Sequence, residues 1–170
     1  QPMCPHSRFA RLALAEAGIE ADLIEERVHE RREDFLALNP AGTTPVLVEP
    51  PQLVVVGAGP IAEYLWDVRG DGPGLLGGDA AGRAEIRRLM DWFNVKFHAE
   101  VTTWLVHEKV SRRFLSSQEG GGGPDMDMVR AARVNIRSHL AYIGWLAGSR
   151  NWLAGDQFSY ADLAAAAQLS

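Results

Sequence analysis

The stretch Cys4-Pro5-His6-Ser7, directly before the apolar residues Phe9, Leu12, Ala13 and Leu14, predicts a thiol at the start of an amphipathic helix. Pro5 suits the first helical position, where its missing N–H is not needed. Free backbone N–H groups and the positive end of the helix dipole stabilise a thiolate at such a place. We therefore predict that Cys4 is reactive, with Ser7 as a second candidate group. The alternative is a small buried cysteine with a purely structural role. His6 could assist the thiol as a proton carrier, but at the second position of the helix we expect it to point to solvent.

The bulk properties of the chain limit the classes of protein to which it can belong. Its 170 residues include one cysteine, so an internal disulfide framework is excluded and a reducing, cytoplasmic setting is expected. No apolar run reaches the length that spans a membrane. Residues 1–72 hold 6 Lys and Arg against 12 Asp and Glu, a balance that disfavours nucleic-acid binding. The five histidines lack paired ligand spacing, and we expect no metal site.

The first part of the chain alternates between helical and strand-like patterns. Helices are predicted over 8–17, 31–38 and 60–68, and strands over 21–28, 45–48 and 52–56. The Gly- and Pro-rich stretch that follows is typical of a linker. We place an α/β domain at 1–69 and the linker at 70–78.

The second part, 79–170, has the pattern of helices alone. Apolar residues recur at helical spacing from Ile86 to Trp104 and Leu105, which predicts one long core-facing helix. A second long helix is predicted to start at the cap residue Asp125. A small α/β layer followed by a helical bundle is the architecture that this order of elements favours.

Three motifs occur in an informative order. They are Cys4-Pro5-His6-Ser7, Asn39-Pro40-Ala41-Gly42-Thr43-Thr44-Pro45, and Trp152-Leu153-Ala154-Gly155 leading into Ser159-Tyr160-Ala161-Asp162, whose ends form a predicted capping box. Together they resemble the glutathione S-transferase superfamily, which has a thioredoxin-like N-terminal domain and an all-helical C-terminal domain. The resemblance covers nearly the whole chain. It also implies that the chain is truncated at both ends, without the first strand and the last helices of that fold.

The resemblance implies a glutathione site that has lost part of its chemistry. In this superfamily the proline matching Pro45 is cis, and the backbone of the residue matching Thr44 pairs with the cysteinyl part of glutathione. An acidic residue and a serine usually stand where this chain has Gly57 and Ala58. Losing the hydroxyl removes a hydrogen bond to a charged group, worth about 1.5–3 kcal/mol. We expect glutathione to be at most a weak ligand or co-substrate.

Segments over 28–32, 92–102 and 142–147 are similar to an alphaproteobacterial branch of the superfamily that binds the division protein FtsZ. The resemblance implies a non-catalytic regulator of cell division that binds the FtsZ filament, and the superfamily commonly forms homodimers. A glutathione-dependent transferase or thiol-lyase that uses Cys4 is the alternative function.

Basic residues at helical spacing are candidates for contact with an acidic partner such as the filament. They are Arg130, Arg133 and Arg137. A solvated helix face with no partner is the alternative interpretation of the same pattern.

Overall fold

The computed structural model describes residues 3–69, 74–113, 115 and 120–170. Its helices and strands are, in chain order, α1 (Pro5–Glu16), α2 (Glu33–Leu38), β1 (Val46–Glu49), β2 (Leu53–Val56), α3 (Ala58–Arg69), α4 (Ala80–Asp91), a π-helix (Trp92–Thr102), α5 (Thr103–Lys109), α6 (Met126–Ser149) and α7 (Tyr160–Leu169). Short 3-10 turns lie at Val28–Glu30, Gly74–Leu76 and Ser111–Arg113. Of the linker predicted at 70–78, residues 70–73 lie outside the described residues.

The start of α1 has the geometry that the sequence predicts. Cys4 is the N-cap, with an extended backbone, and its sulfur accepts a hydrogen bond from the Ser7 N–H at 3.5 Å. Pro5 occupies the first helical position, where the helix needs no N–H donor. The helix therefore begins three residues earlier than its apolar pattern indicated.

The sheet has two antiparallel strands among the described residues, β1 and β2, with Val46 opposite Val56 and Glu49 opposite Leu53. Both strands were predicted. The strand predicted over 21–28 was wrong, because residues 19–27 have no regular structure and a 3-10 turn begins at residue 28. No described strand pairs with this segment, so its backbone groups have no ladder partner. Its apolar side chains stay in solvent, with Ile24 85% exposed.

The long helix predicted from Ile86 onward changes its winding along its length. It starts as α4, continues as a π-helix with i→i+5 hydrogen bonding over Trp92–Thr102, and ends as α5. Phe93, Phe97 and Val101 are buried along the π-helix, as expected. The wider turns shift the core-facing side, so that Trp104 is 39% exposed and its predicted core position was wrong.

A buried histidine joins α6 to the π-helix. The side chain of His139 is 2% exposed; its Nδ1 lies 3.1 Å from Trp92 Nε1 and its Nε2 lies 3.0 Å from Glu100 Oε2. The indole N–H can only donate, so Nδ1 accepts and Nε2 carries the proton that is donated to Glu100. Lys96 pairs with the same carboxylate, and with His139 it holds the pKa of Glu100 below its usual range. This series of hydrogen bonds fixes the rotation of α6 against the π-helix.

A single apolar core unites the two parts of the chain. It contains residues of α1, α3, α4, the π-helix, α6 and α7. Phe9 and Ala13 of α1 are fully buried, and the Phe9 ring lies 6.0 Å from that of Tyr160 in α7. Among the described residues, no helix is both long and apolar enough to cross a membrane.

A buried carboxylate ties the end of α5 to the start of α6. Glu108 is 4% exposed and accepts hydrogen bonds at 2.7 Å from the Asp125 N–H and from Arg112. These two donors hold the pKa of Glu108 below its usual range. Asp125 in turn caps α6 by accepting from the N–H groups of Asp127 and Met128, which confirms the predicted cap.

We expect Asp162→Ala to destabilise the fold more than Asp125→Ala. The Asp162 carboxylate accepts from the Leu153 N–H at 2.9 Å, the Ser159 N–H at 3.0 Å and the Ser159 hydroxyl at 2.9 Å. Its loss leaves buried donors unpaired, at about 2–4 kcal/mol, against about 1 kcal/mol for an exposed cap. Urea unfolding of both variants measures the difference in their free energies of unfolding. Equal losses would show that the capping box of α7 stabilises the fold no more than the exposed cap at Asp125.

Candidate functional site

The candidate site lies where the start of α1 meets the loop before β1. The Cys4 sulfur is half-buried, 3.5 Å from the Ser7 nitrogen and 3.7 Å from Thr44 Oγ1. The peptide bond between Thr44 and Pro45 is cis. The structure therefore brings Cys4, Ser7, Thr44 and Pro45 together.

The loop that presents Thr44 is held by a buried asparagine. Asn39 is 3% exposed, and its Nδ2 donates to Thr43 O at 2.8 Å while its Oδ1 accepts from the Ala41 N–H at 3.1 Å. The side chain thus replaces the backbone partners that a regular element would supply. This fixes Thr44 beside the sulfur.

His6 lies between the two parts of the chain, and the expectation that it points to solvent was wrong. Its Nε2 is 2.7 Å from the carbonyl oxygen of Asn94 in the π-helix. Its ring centroid is 4.3 Å from that of His98, one turn further along the same helix. Asn94 is 88 residues away in sequence, so no local sequence pattern predicts this contact.

The surroundings of Cys4 favour the thiolate. Burial alone raises its pKa, but hydrogen bonds with His6, with the Ser7 side chain and N–H, and with Thr44 outweigh burial and lower the pKa to about 6. Hydrogen bonding to Cys4 raises the pKa of His6. Burial, followed by the charge on His6, lowers the pKa of His98.

Gly57 and Ala58 follow β2 directly, at the start of α3. The Gly57 N–H donates to the Pro45 carbonyl at 3.0 Å, which ties this turn to the cis proline. The first helical hydrogen bond of α3 runs from the Ile61 N–H to the Gly57 carbonyl, and Pro60, in the first turn, has no free N–H to offer a ligand. Gly57 has φ +95°, a backbone conformation that a larger residue adopts only with strain. Ala58 is 8% exposed, and its methyl side chain has no hydrogen-bonding atom.

The basic residues proposed for partner contact lie on the exposed face of α6. Arg130, Arg133 and Arg137 are all exposed, and Arg130 pairs with Asp127 one turn earlier. Val134, between them, is 61% exposed. They form a surface of mixed apolar and basic character, separate from the contacts of Cys4.

Sequence reasoning missed a polar cluster on the π-helix and α7, of which the Asn94 carbonyl and the His98 ring contact His6. It contains Asn94, His98 and Gln168, and the Thr102 hydroxyl lies 2.7 Å from Gln168 Oε1. Three buried atoms of this cluster have no hydrogen-bond partner among the described residues: Asn94 Oδ1, His98 Nδ1 and Gln168 Nε2. The available signal was two polar residues, Asn94 and His98, four apart and each directly after a buried phenylalanine. In the part of the chain that is described, no three His, Cys, Asp or Glu side chains are grouped to hold a metal.

Comparisons with known proteins agree with this arrangement. Residues 3–68 match the family model of the glutathione S-transferase N-terminal domain. FtsZ-localized protein A of Caulobacter vibrioides is 43% identical over an alignment of 172 positions, which covers 99% of this chain and 73% of that protein. A crystal structure of a glutathione S-transferase from Sinorhizobium meliloti superposes with a TM-score of 0.90 at 48% identity, over 99% of this chain and 74% of that one. The structure of FzlA from C. crescentus superposes with a TM-score of 0.89 at 41% identity, over the same shares of the two chains.

We expect Cys4 to react with iodoacetamide as a thiolate at neutral pH. With a pKa lowered from 9.0 to about 6, the thiolate forms as pH rises through about 6 and predominates above it. The measurement is the alkylation rate of the intact protein across pH, by mass spectrometry. A rate that rises only above about pH 8, near the ordinary thiol pKa, would identify Cys4 as an unactivated structural residue.

Proposed function

The chain belongs to the glutathione S-transferase superfamily, and we propose that within it the protein binds the FtsZ filament and regulates bacterial cell division, with no catalytic step required. The observation that carries the proposal is the identity of 43% with FtsZ-localized protein A, over 99% of this chain. The likeness extends through both parts of the chain, 1–69 and 79–170, and spans 73% of that relative.

The state of the glutathione site supports a role without catalysis. Gly57, Ala58 and Pro60 replace or remove donors at the start of α3, where the superfamily holds the γ-glutamyl carboxylate of glutathione. One missing hydrogen bond to a charged group corresponds to roughly a ten- to hundredfold loss of affinity. The Thr44 backbone and the cis Pro45 remain, so we propose that glutathione binds weakly.

The α6 face supports an electrostatic contact with the filament. Among the described residues, Arg133 and Arg137 form no ion pair, and Arg130 has a single exposed partner in Asp127. Exposed cations of this kind are available to an acidic surface, and they steer its approach. Val134 lies between them and is apolar, so its contribution to the binding free energy would not depend on salt.

Three further features belong to the same proposal. We propose that the protein works in the cytoplasm, where the filament assembles, and that it forms a homodimer as superfamily members commonly do. We also retain the division into domains over 1–69 and 79–170. The shared core implies that these two parts fold against each other.

We expect the full-length protein to pellet with polymerised FtsZ, and more strongly at low than at moderate salt. Added salt shortens the Debye length from about 10 Å at 0.1 M and weakens contacts between exposed charges. A variant with Arg130→Glu and Arg133→Glu should bind roughly tenfold more weakly. Arg11→Glu with Arg27→Glu is the matched control, because it makes the same charge change on exposed residues outside α6, and Arg27 pairs with Glu30 as Arg130 does with Asp127. Co-sedimentation with purified filaments measures all three proteins.

The outcomes separate the function from the surface. If the unmodified protein fails to pellet at either salt and conjugates glutathione measurably, the enzyme interpretation replaces this one. If the α6 variant and the control pellet as well as the unmodified protein, the filament binds elsewhere and only the basic surface is rejected.

A second candidate function is glutathione-dependent transfer or thiol-lyase chemistry at Cys4. The observation that favours it is the pKa of about 6, which makes the sulfur a nucleophile under physiological conditions. In that interpretation Cys4 is the nucleophile and Ser7 stabilises its thiolate. Binding of glutathione is the step that separates the two functions.

We expect calorimetry to show that glutathione binds more weakly than low micromolar. Ala58→Ser restores the missing hydroxyl and should tighten binding by roughly ten- to hundredfold. Gly57 is unsuitable for such a test because of its φ of +95°. A low-micromolar dissociation constant for the unmodified protein would contradict the degraded site and favour the enzyme.

A further inference from the structure

We propose that two copies of this chain pair through an aromatic surface on α4, the π-helix and α6, which leaves the arginines of α6 free, so that each dimer carries two surfaces for the filament. The aromatic surface consists of Arg88, Trp92, Tyr142 and Trp145. This inference rests on the homodimer and the filament contact proposed above, and it names the surface by which the copies meet.

Trp145 is exposed to solvent and is nevertheless held in one position. It is 61% exposed, and its ring stacks on that of Tyr142, with the centroids 6.0 Å apart and the planes inclined by 13°. The Tyr142 ring in turn lies 4.6 Å from that of Trp92. An indole that is already held in place loses little conformational freedom on binding. Trp145 is therefore suited to be the anchor of an interface.

Ion pairs between α4 and α6 fix the surface beneath this anchor. Arg88 donates to the Tyr142 hydroxyl at 2.8 Å and lies 6.0 Å from the centre of its ring. Arg88 also binds the Glu85 carboxylate at 2.8 and 2.9 Å, and Arg150, at the end of α6, binds it at 2.7 Å. These bonds, those of Arg88 first, lower the pKa of Glu85 to about 2. The arrangement therefore persists at neutral pH.

The part of α6 that carries the aromatic surface has an unusual composition for an exposed helix. From 138 to 149 the sequence contains no Asp, Glu, Lys or Arg. Ala141 and Trp145, four residues apart and thus on one side of the helix, are both exposed. The central part of a protein interface is poor in charged residues, and Trp, Tyr and Arg contribute most of its binding energy. The composition is that of an interface rather than of a solvated face.

The charges at the edge of the surface favour a second copy of this chain as the partner. Arg88 and Arg150 share the carboxylate of Glu85, and Lys96 pairs with Glu100. The edge therefore carries both signs of charge. Such a surface does not repel its own copy, and its ion pairs can be exchanged across a two-fold axis. An acidic partner would gain less here, because carboxylates already occupy these cations.

The basic residues of α6 lie apart from this surface. Arg133 and Arg137 are exposed, and Arg137 precedes Trp145 by about 12 Å along the helix axis. Neither arginine forms an ion pair among the described residues, so both are available to an acidic surface. A two-fold dimer presents them twice. Contact at two points then gives the dimer a higher avidity for a filament than one copy has alone.

The first test is sedimentation equilibrium of the whole chain without any partner. Trp145→Ala removes the anchor and should raise the dissociation constant of the dimer by roughly 30-fold or more. Ala141→Glu places a charge in the interface and should act in the same direction. Trp104→Ala is the matched control, because it truncates a tryptophan that is 39% exposed on α5, and it should leave the dimer unchanged. Circular dichroism and urea unfolding establish that each variant is folded.

A monomeric unmodified protein overturns the pairing. Dimers of Trp145→Ala and Ala141→Glu that are as tight as the unmodified dimer overturn the aromatic surface. If the unmodified protein is monomeric and Trp145→Ala still abolishes pelleting with FtsZ, this surface binds the filament itself. None of the sedimentation measurements contains FtsZ, so their failure leaves the proposed filament binding intact.

The second test measures the avidity. Trp145→Ala should pellet with purified FtsZ filaments roughly 100-fold more weakly than Trp104→Ala, because a monomer binds at one point only. Equal pelleting of the two variants overturns the contact at two points. If no form of the protein pellets while the dimer is intact, the proposed function fails and the pairing stands.

Discussion

The packing of α1 against α7 is the constraint on which the rest of the structure depends. The contact face of α7 consists mostly of alanine, with Ala161, Ala164 and Ala167 fully buried, so the two helices can approach closely. Phe9, also fully buried, fills the remaining space at a gain of about 1.5–3 kcal/mol. This contact fixes the position of α1 along its own axis. A shift of one residue would carry the sulfur away from Thr44 and the imidazole away from the π-helix.

The groups of the candidate site come from two separate parts of the fold. The groups that stabilise the thiolate come from the first turn of α1 and from Thr44. The groups that would hold a ligand carboxylate come from the start of α3, beyond β2. A loss at Ala58 therefore leaves the sulfur chemistry untouched. This explains how a chain can keep a reactive cysteine while its site for glutathione is incomplete.

Local signals made much of the fold predictable from the sequence. Caps at Cys4, Asp125 and Ser159 are decided by neighbours within three residues, and all were found. The strand predicted over 21–28 failed because pairing is not local. The π-helix was not predicted, because helices with i→i+4 and i→i+5 hydrogen bonds bury similar apolar residues. The spacing of Phe93, Phe97 and Val101, four residues each time, was the available signal for a wider turn. The contact of His6 with Asn94 joins residues far apart and carries no sequence pattern, so half of the candidate site required the structure.

The Glu108 carboxylate affects how readily the connection between α5 and α6 can change in evolution. By joining the end of α5 to the start of α6, it fixes the two ends of the intervening connection, whatever the connection contains. The glycines at 120, 122 and 123 have no atom near the position of an added side chain. Doubling such a loop costs only about 0.6 kcal/mol in closure entropy. Evolution can therefore lengthen this connection at a small cost in free energy, whereas replacing Gly120 or Gly122, whose φ values are +83° and +137°, would strain the backbone.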